Sequence, residues 1–371
     1  MAARIVSIGT AVPSTSVSQD RVRDFFAAQP GLDRMTRRLI GAAFNAAGIE
    51  RRYTVLTQLA DPAPGVAGAA GLSFVGDGEL LLVPTTGERN AVFTRVAPSL
   101  FAEASRMALA DAQLDASSVT HVVTVSCTGF FAPGPDYRLV RDLGLPTDVE
   151  RYHVGFMGCA AALPALRLAA RIVAAQPAAV VLVACAELCS LHVRSSSDPE
   201  QIVASSVFAD GAAAAVVTAD DHRGRAGGLE LERFATALTA DGETDMVWTI
   251  GDNGFEMTLS GEVPRIIGRE IRGAVEGFLG TVDPDAWAVH PGGRSILDRV
   301  ETGLALDPAA MTASRDVLRD FGNMSSATIL FILRALLHDE AIADGAAISA
   351  LAFGPGLTVE SALMTKRGPA A

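Results

Sequence analysis

The apolar residues of this chain fall into short continuous runs that alternate with longer amphipathic runs. The short runs have the length of buried strands and lie at residues 4–10, 120–127, 178–185, 212–218, 229–236, 286–290 and 346–354. The longer runs have helical spacing and lie at residues 97–114, 162–175, 263–279 and 326–340. Several short runs are apolar throughout, which is typical of strands covered by helices on both faces. The pattern therefore predicts an α/β fold.

A polar, glycine-rich stretch at residues 217–231 follows a buried strand and is the best candidate for a boundary. It divides the chain into residues 1–218 and 219–371, and each part begins with a strand and ends with an apolar strand. We therefore expect two similar α/β halves in tandem. Residues 60–90 are rich in Gly and Pro and are expected to form an irregular excursion.

Composition narrows the classes of function. The 371 residues are 49% hydrophobic, which is enough for a large core, and the net charge is −12. There is no long basic run, so nucleic-acid binding is not expected. A local excess of arginines near the N-terminus could still hold an anionic group, although it could equally be a solvated helix face. These arginines are Arg34, Arg37, Arg38, Arg51 and Arg52.

No membrane span and no signal peptide are predicted. The apolar runs fall short of the roughly 18–20 residues that a span requires. The N-terminal residues 1–13 enter a strand-like run without the apolar core and cleavage site of a signal peptide. We expect a cytoplasmic protein.

The chain has four cysteines, Cys127, Cys159, Cys185 and Cys189. Their number and spacing suggest neither a disulfide framework nor a zinc site. Cys159 is distinctive because it lies between a strand-like run and the helix-like run at 162–175. Pro164 is tolerated only in the first turn of a helix, so the helix should begin near Ala160 or Ala161. Free N–H groups at that position would lower the pKa of the thiol and favour a nucleophilic thiolate.

A nucleophilic cysteine needs a base or an electrostatic partner. Of the six histidines, His290 is the best candidate because it ends a buried strand, where ligand crevices open in α/β sheets. His192 follows "ELCSL" and could form part of a pocket wall. Asn323 precedes a buried helix, where it could cap the helix or act as an amide donor to a developing oxyanion.

Six segments in the same order resemble the type III polyketide synthases, the chalcone synthase-like family. They are the Cys159 turn, "HPGGRSILDRVE" with His290, "GNMSSATILFIL" with Asn323, "FGPGLTVE" at 353–360, "VFADGAAAAVV" at 207–217 and "APGPDYRLVRDLGL" at 132–145. The resemblance implies a thiolase-like fold with two similar halves in five alternating α/β layers. It also implies a homodimer, acyl-CoA and malonyl-CoA as substrates, and no cofactor.

The resemblance assigns roles to individual positions. Cys159, His290 and Asn323 match the catalytic triad, and Arg51 and Arg52 match a basic segment near the CoA phosphates. The matched pocket and gate positions are Phe208, Met257, Thr128, Ala132, Cys127, Cys189, His192, Trp248 and Ser325.

Two features bear on the starter group. The small residues Thr128, Ala132 and Cys189 match positions that line an added tunnel in bacterial members that use fatty acyl starters. Trp248 matches a glycine of the plant enzymes and would narrow the other side of the cavity. We therefore expect a medium- or long-chain fatty acyl-CoA starter and an alkylpyrone or alkylresorcinol product.

Two alternatives stay open at the level of sequence. One is a small-starter or malonyl-only enzyme that makes a phloroglucinol or naphthalene product. The other is an initiating 3-ketoacyl-carrier-protein synthase, which shares the fold and a Cys-His-Asn triad. That class tends to show "GNTS" around the asparagine, whereas this chain has "GNMSS".

Overall fold

The computed structural model describes residues 2–60, 73–219 and 227–368. Residues 61–72 of the predicted irregular excursion lie outside this part of the chain. So do residues 220–226 of the predicted boundary, and the division at 218/219 stays a prediction.

The strands lie where the apolar runs predict them, with additional strands between. They are β1 (Ala3–Ala11), β2 (Thr15–Ser18), β3 (Arg51–Thr54), β4 (His121–Ser126), β5 (Glu150–Gly155), β6 (Val180–Leu188), β7 (Asp210–Ala219), β8 (Gly228–Leu238), β9 (Met246–Gly251), β10 (Gly254–Leu259), β11 (Ala286–Val289), β12 (Ala347–Gly354) and β13 (Thr358–Arg367). Within the described residues, nine strands form one mixed sheet in the order β11-β12-β13-β8-β1-β7-β6-β4-β5.

The sheet repeats one arrangement on either side of its middle. β4 and β6 are parallel, and β6, β7 and β1 then follow in antiparallel pairs. β11 and β12 are also parallel, and β12, β13 and β8 follow in antiparallel pairs. The two sets join through the antiparallel pairing of β1 with β8. The structure therefore contains two similar halves, as the sequence predicts.

Helices cover both faces of each half. They are α1 (Gln19–Ala27), α2 (Arg34–Ala46), α3 (Thr86–Asp111), α4 (Pro135–Leu143), α5 (Ala162–Ala175), α6 (Pro199–Val207), α7 (Val263–Leu279), α8 (Arg294–Leu304), α9 (Thr312–Phe321) and α10 (Thr328–His338). One core holds α5 and α10 between strands of both halves. A second core lies under α1–α3 and a third under α7 and α8, so five layers alternate.

Successive side chains of a strand point to opposite faces of the sheet, so one sheet contributes side chains to several hydrophobic cores. Along β6, Val181 and Val183 face the central core that holds α5 and α10. Val180 and Leu182 face the outer core under α3. Both faces are apolar, so the strand reads as a continuous apolar run in the sequence.

The structure corrects two sequence expectations. Helix α3 begins at Thr86, where Thr85 and Glu88 form a capping box, and Pro98 lies within it. The predicted start at residue 97 is therefore wrong.

The second correction concerns the expectation that the apolar runs are too short for a membrane span. Residues Gly158–Ala175 form an 18-residue helical stretch with a mean hydropathy of 1.4, which meets the length and composition of a membrane span. Half of that stretch is buried, and Arg167 within it pairs with Glu360 at 2.9 Å, as expected of a core helix.

Candidate active site

Cys159 lies in a 3₁₀ turn, Gly158–Ala160, immediately before α5. The preceding Gly158 has φ +61°, and a Cβ at that position would lie 2.6 Å from Cδ of Pro355. Only glycine fits this turn because both the backbone angle and the contact exclude a side chain. The sequence prediction of a sharp turn that presents Cys159 at the start of the helix is confirmed.

Asn323 is the residue that the fold brings against Cys159. Its Oδ1 and Nδ2 atoms lie 3.9 and 4.0 Å from the cysteine sulfur. The Ser325 N–H donates to Oδ1 at 2.8 Å, which leaves the Nδ2 donors for the sulfur side. Helix α10 begins only at Thr328 and has no side-chain cap, so Asn323 is not a helix cap.

His290 follows β11 directly, at the carboxyl end of the strand, as the sequence predicts. Its backbone N–H donates to Leu351 O at 2.8 Å, which fixes the residue against β12. The side chain is buried, and neither ring nitrogen has a hydrogen-bond partner among the described residues. No protein group in the described part of the chain therefore competes for either ring nitrogen.

Burial dominates the ionisation of both groups. It raises the pKa of the Cys159 thiol to about 11, against the lowering effect of the hydrogen bonds from Ser325 and Asn323. The same cause lowers the pKa of His290 to about 3. The expectation of a lowered thiol pKa is therefore wrong for this structure. Cys159 and His290 are neutral at pH 7, and a proton must leave the sulfur when the substrate arrives.

A cavity with a volume of about 60 Å³ opens at Cys159. It brings together most of the predicted pocket residues. Those that line it are Cys127, Thr128, Cys159, Cys189, His192, Phe208, Trp248, Met257 and Ser325. The remaining lining residues are mostly apolar or small, such as Phe255 and Pro355. The site is thus a mostly apolar cavity with a thiol at its wall.

Glu187 is a site residue that the sequence reasoning missed. It is fully buried in β6 and accepts hydrogen bonds from Thr128 Oγ1 at 2.7 Å and Ser326 Oγ at 2.5 Å. The N–H of Cys127 donates to it at 3.0 Å. Burial raises the pKa of this carboxyl group. An acid two residues after the apolar run 178–185 was the available signal, since a buried acid requires dedicated donors.

The β9–β10 hairpin forms one wall of the cavity and is held by side-chain hydrogen bonds. The indole Nε1 of Trp248 donates to Cys127 O at 2.7 Å. His192 Nδ1 accepts from the Phe255 N–H at 2.9 Å, so Nε2 carries the proton and donates to Thr128 O at 2.8 Å. Burial lowers the pKa of His192 to about 3. His192 is therefore a neutral residue that positions the wall.

Five predicted site residues do not line the cavity, and they are His290, Asn323, Arg51, Arg52 and Ala132. Asn323 nevertheless contacts Cys159. Arg52 is only 5% exposed, and its guanidinium donates to Ser205 O and Phe208 O at 2.8 Å, so it cannot reach a CoA phosphate in this conformation. Its predicted role at the phosphates is wrong for that reason. Arg51 is exposed, and its role near the CoA phosphates stays a prediction. Ala132 is exposed and does not line the cavity of its own chain.

A second, larger groove adjoins the cavity. It has a volume of about 400 Å³ and shares Met246 with the cavity. Val207 lines the groove and the next residue, Phe208, lines the cavity. The groove and the cavity therefore lie on either side of a wall that contains Met246, Val207 and Phe208.

Comparisons with known proteins identify the family. The model of the chalcone and stilbene synthase N-terminal domain matches residues 1–221, and that of the C-terminal domain matches residues 230–367. The chain belongs to the chalcone and stilbene synthase family. Its members, the type III polyketide synthases, are acyltransferases that use acyl-CoA and malonyl-CoA. The assignment excludes an initiating ketoacyl synthase.

Two curated relatives illustrate the range of this family. "Alpha-pyrone synthesis polyketide synthase-like Pks18" of Mycobacterium tuberculosis is 35% identical over 290 residues, covering 75% of this chain and 73% of the relative. "Probable polyketide synthase 1" of Dictyostelium discoideum is 30% identical over 370 residues, covering 97% of this chain. This chain spans only 11% of the length of the Dictyostelium protein.

Solved structures of type III synthases share the fold. The C-terminal type III domain of "Steely1", a type I/III hybrid from Dictyostelium, has a TM-score of 0.89 at 29% identity, with 99% of both chains covered. PKS-I of the brown alga Ectocarpus siliculosus has a TM-score of 0.89 at 29% identity, with 98% of both chains covered. The thiolase-like fold predicted from the sequence is confirmed.

Proposed function

We propose that this type III synthase loads a medium- or long-chain fatty acyl-CoA starter on Cys159, extends it iteratively with malonyl-CoA and cyclises it to an alkylpyrone or alkylresorcinol. The observation that carries the proposal is the position of Cys159. The thiol lies at a helix start, at the wall of an apolar cavity, with the Asn323 amide 4.0 Å away.

Loading begins when the Cys159 sulfur attacks the thioester carbonyl of the starter. The thiol proton passes to His290, whose ring nitrogens have no hydrogen-bond partner among the described residues. The bond from the carbonyl carbon to the CoA sulfur breaks as the new bond to the Cys159 sulfur forms. The CoA thiolate leaves and takes up the proton, which restores neutral His290.

In the extension step, the negative charge develops on an enolate oxygen. Malonyl-CoA loses carbon dioxide, the electron pair of the broken C–C bond forms the enolate double bond, and the thioester carbonyl oxygen takes the negative charge. The Nδ2 hydrogens of Asn323 and the ring N–H of neutral His290 stabilise that oxygen. The enolate carbon then attacks the Cys159 thioester and releases the sulfur, giving a CoA thioester two carbons longer. Reloading on Cys159 repeats the cycle.

Small residues at two wall positions support a fatty acyl starter. Thr128 and Cys189 both line the cavity and leave space that larger side chains would fill. The relative Pks18, by its printed name, takes part in alpha-pyrone synthesis. Ala132 would add room only at the interface of a dimer, since it lies outside its own cavity.

One observation favours the second candidate, a small-starter or malonyl-only synthase. The cavity volume of about 60 Å³ is small for a long acyl chain, and Trp248 is fixed in it by its hydrogen bond to Cys127 O. A long starter therefore requires movement of the wall, for which Met246 and Met257 provide flexible side chains.

Incubation with malonyl-CoA and acyl-CoA starters of graded length separates the two candidates. The fatty acyl proposal expects extended products from starters above about eight carbons, because removing such chains from water provides binding energy. Products from acetyl-CoA or malonyl-CoA alone, with none from longer starters, would establish the small-starter candidate instead.

We also propose that the enzyme is a homodimer formed at β5. This strand is at the edge of the nine-stranded sheet, and most of its side chains are exposed. Large apolar side chains are exposed nearby, and they are Phe130, Tyr137, Tyr152, Phe156 and Met157. An unpaired edge beside such a patch indicates a protein interface. A cytoplasmic location stays a prediction.

Light scattering tests the dimer. The variant Phe156→Asp should be monomeric, whereas Met35→Asp, at an exposed apolar side chain on α2, should remain dimeric. A monomeric wild-type protein would contradict the proposal.

A further inference from the structure

Helix α2 presents an exposed basic face. Arg34, Arg37 and Arg38 are exposed on it, and Met35 beside them is 74% exposed. None of the three arginines forms an ion pair with a described residue. The adjacent acid, Asp33, is the N-cap of α2 and accepts a hydrogen bond from the Thr36 N–H at 2.7 Å. This is a concentrated positive patch on a chain of net charge −12.

The same helix leads to the groove beside the catalytic cavity. Met35, Arg38, Ala42 and Ala46 follow one another at the spacing of a single helix face. Ala46 lines the groove, as do Ala43 and Ala47. The helix rise places Arg38 about 12 Å from Ala46 along the axis. The basic face is therefore displaced outward from the groove.

The groove itself carries little positive charge. Most of its lining is apolar or small, including Val203, Val207 and Ile296. Its charged members are Glu200, Asp298 and Arg294, and Arg294 lies 3.8 Å from Asp298. Such a groove suits the neutral pantetheine arm with one phosphate at Arg294. Arg294 is the single cation among the described residues that line it, so the other phosphates of a CoA nucleotide would lie outside this groove.

We propose that the basic face of α2, defined as Arg34, Met35, Arg37 and Arg38, docks an acidic acyl carrier domain that delivers the starter thioester. The phosphopantetheine arm of the carrier would lie in the groove, and the acidic surface of the carrier would contact the arginines. The inference rests on the proposed function, because the delivered acyl group is the one loaded on Cys159. Charge complementarity and the continuity of α2 with the groove support it.

The test compares three starter donors with malonyl-CoA as extender. The donors are decanoyl-CoA, decanoyl-phosphopantetheine and decanoyl thioester on the acidic acyl carrier protein of bacterial fatty acid synthesis. Each is assayed with the wild type, with Arg34→Glu/Arg38→Glu and with Arg37→Glu. The control Arg171→Glu/Arg272→Glu reverses two exposed charges on α5 and α7.

The account predicts a selective effect. Charge reversal on α2 should lower kcat/KM for the acyl carrier protein by about tenfold or more, because the docking charges are lost. Rates with decanoyl-CoA and decanoyl-phosphopantetheine should change less than about twofold, and the control should match the wild type for all three donors. Added salt should weaken the carrier reaction most.

Other outcomes overturn the inference or the proposed function separately. If the carrier thioester is not a substrate of the wild type while decanoyl-CoA is extended, carrier docking is wrong and the proposed function stands. If charge reversal lowers the rates with carrier and CoA alike, the arginines bind CoA phosphates and docking is again wrong. If none of the donors is extended, the proposed fatty acyl function fails.

Discussion

The amide Nδ2 of Asn323 lies 4.0 Å from the sulfur of Cys159, although 164 residues separate the two in the chain. Cys159 belongs to the turn before α5 and Asn323 to the segment before α10. These two helices share the central core, so the packing of the two halves sets the distance between the thiol and the amide. The candidate site is therefore formed only when both halves are folded together.

Asn323→Ala should separate extension from loading. We expect decarboxylation of malonyl-CoA to slow by about 100- to 1000-fold, because one donor to the enolate oxygen is lost. Loading of Cys159 should persist, since the thiol and His290 are unchanged. Release of labelled carbon dioxide and the mass of the acyl-enzyme measure the two steps. Asn323→Asp, of nearly the same shape but without the donor, should behave like Asn323→Ala. Equal loss of both steps would contradict the assigned role.

The raised pKa of Cys159 predicts a specific pH dependence of alkylation in the free enzyme. Because only the thiolate reacts, the rate with iodoacetamide should rise about tenfold per pH unit from about pH 7 to about pH 10. Peptide mass spectrometry locates the modified cysteine, and Cys159→Ala provides the background. A rate that is already constant from pH 6 upward would show that Cys159 is a thiolate in the free enzyme. It would contradict the neutral state of Cys159 and His290.

Glu187→Gln should lower the free energy of unfolding by about 1–3 kcal/mol, because the amide NH₂ meets groups that now donate to the carboxyl group. Urea unfolding measures the change. Glu187→Ala should cost more, since it leaves Thr128, Ser326 and the Cys127 N–H without their acceptor.

The pH dependence of the same variants has a defined sign. Burial raises the pKa of Glu187, so the folded state keeps its proton to a higher pH than the unfolded state. Wild-type stability should therefore fall relative to that of Glu187→Gln as the pH rises above the ordinary range of a glutamate. A constant difference between the two proteins across pH would contradict the raised pKa.

Trp248 should control the length of the bound acyl chain. Trp248→Gly removes the indole from the cavity wall and should shift starter preference toward longer acyl-CoA thioesters. Trp248→Phe loses the bond to Cys127 O but keeps most of the ring, and should change the preference less. Competition between starters of different length, with products read by mass, measures both. An unchanged preference in Trp248→Gly would show that the chain extends along another wall.

The sequence was sufficient for the principal elements and for the placement of Cys159. The apolar run at 178–185 predicted β6, and Pro164 located the start of α5, because each is governed by local chemistry. The strand-like run before Cys159 is β5, although most side chains of this edge strand are exposed.

Electrostatic interactions between residues far apart in the chain could not be predicted from the sequence. Arg52 resembles a surface cation in the sequence, but it folds inward onto carbonyl groups of the Ser205–Phe208 region, 153 and 156 residues away. The ionisation of Cys159 depends on burial by both halves, which no local pattern reports. Glu187 was visible as an acid just after an apolar run, yet its partners come from two separate segments, at Cys127–Thr128 and at Ser326.

The mass of the intact protein after brief exposure to decanoyl-CoA tests the central claim most directly. The account predicts that the wild type gains the mass of one decanoyl group, located on Cys159 by peptide mapping, and that Cys159→Ala gains none. Addition of malonyl-CoA should then remove the group as extended product. A decanoyl group on another residue, or extension by Cys159→Ala, would contradict the account.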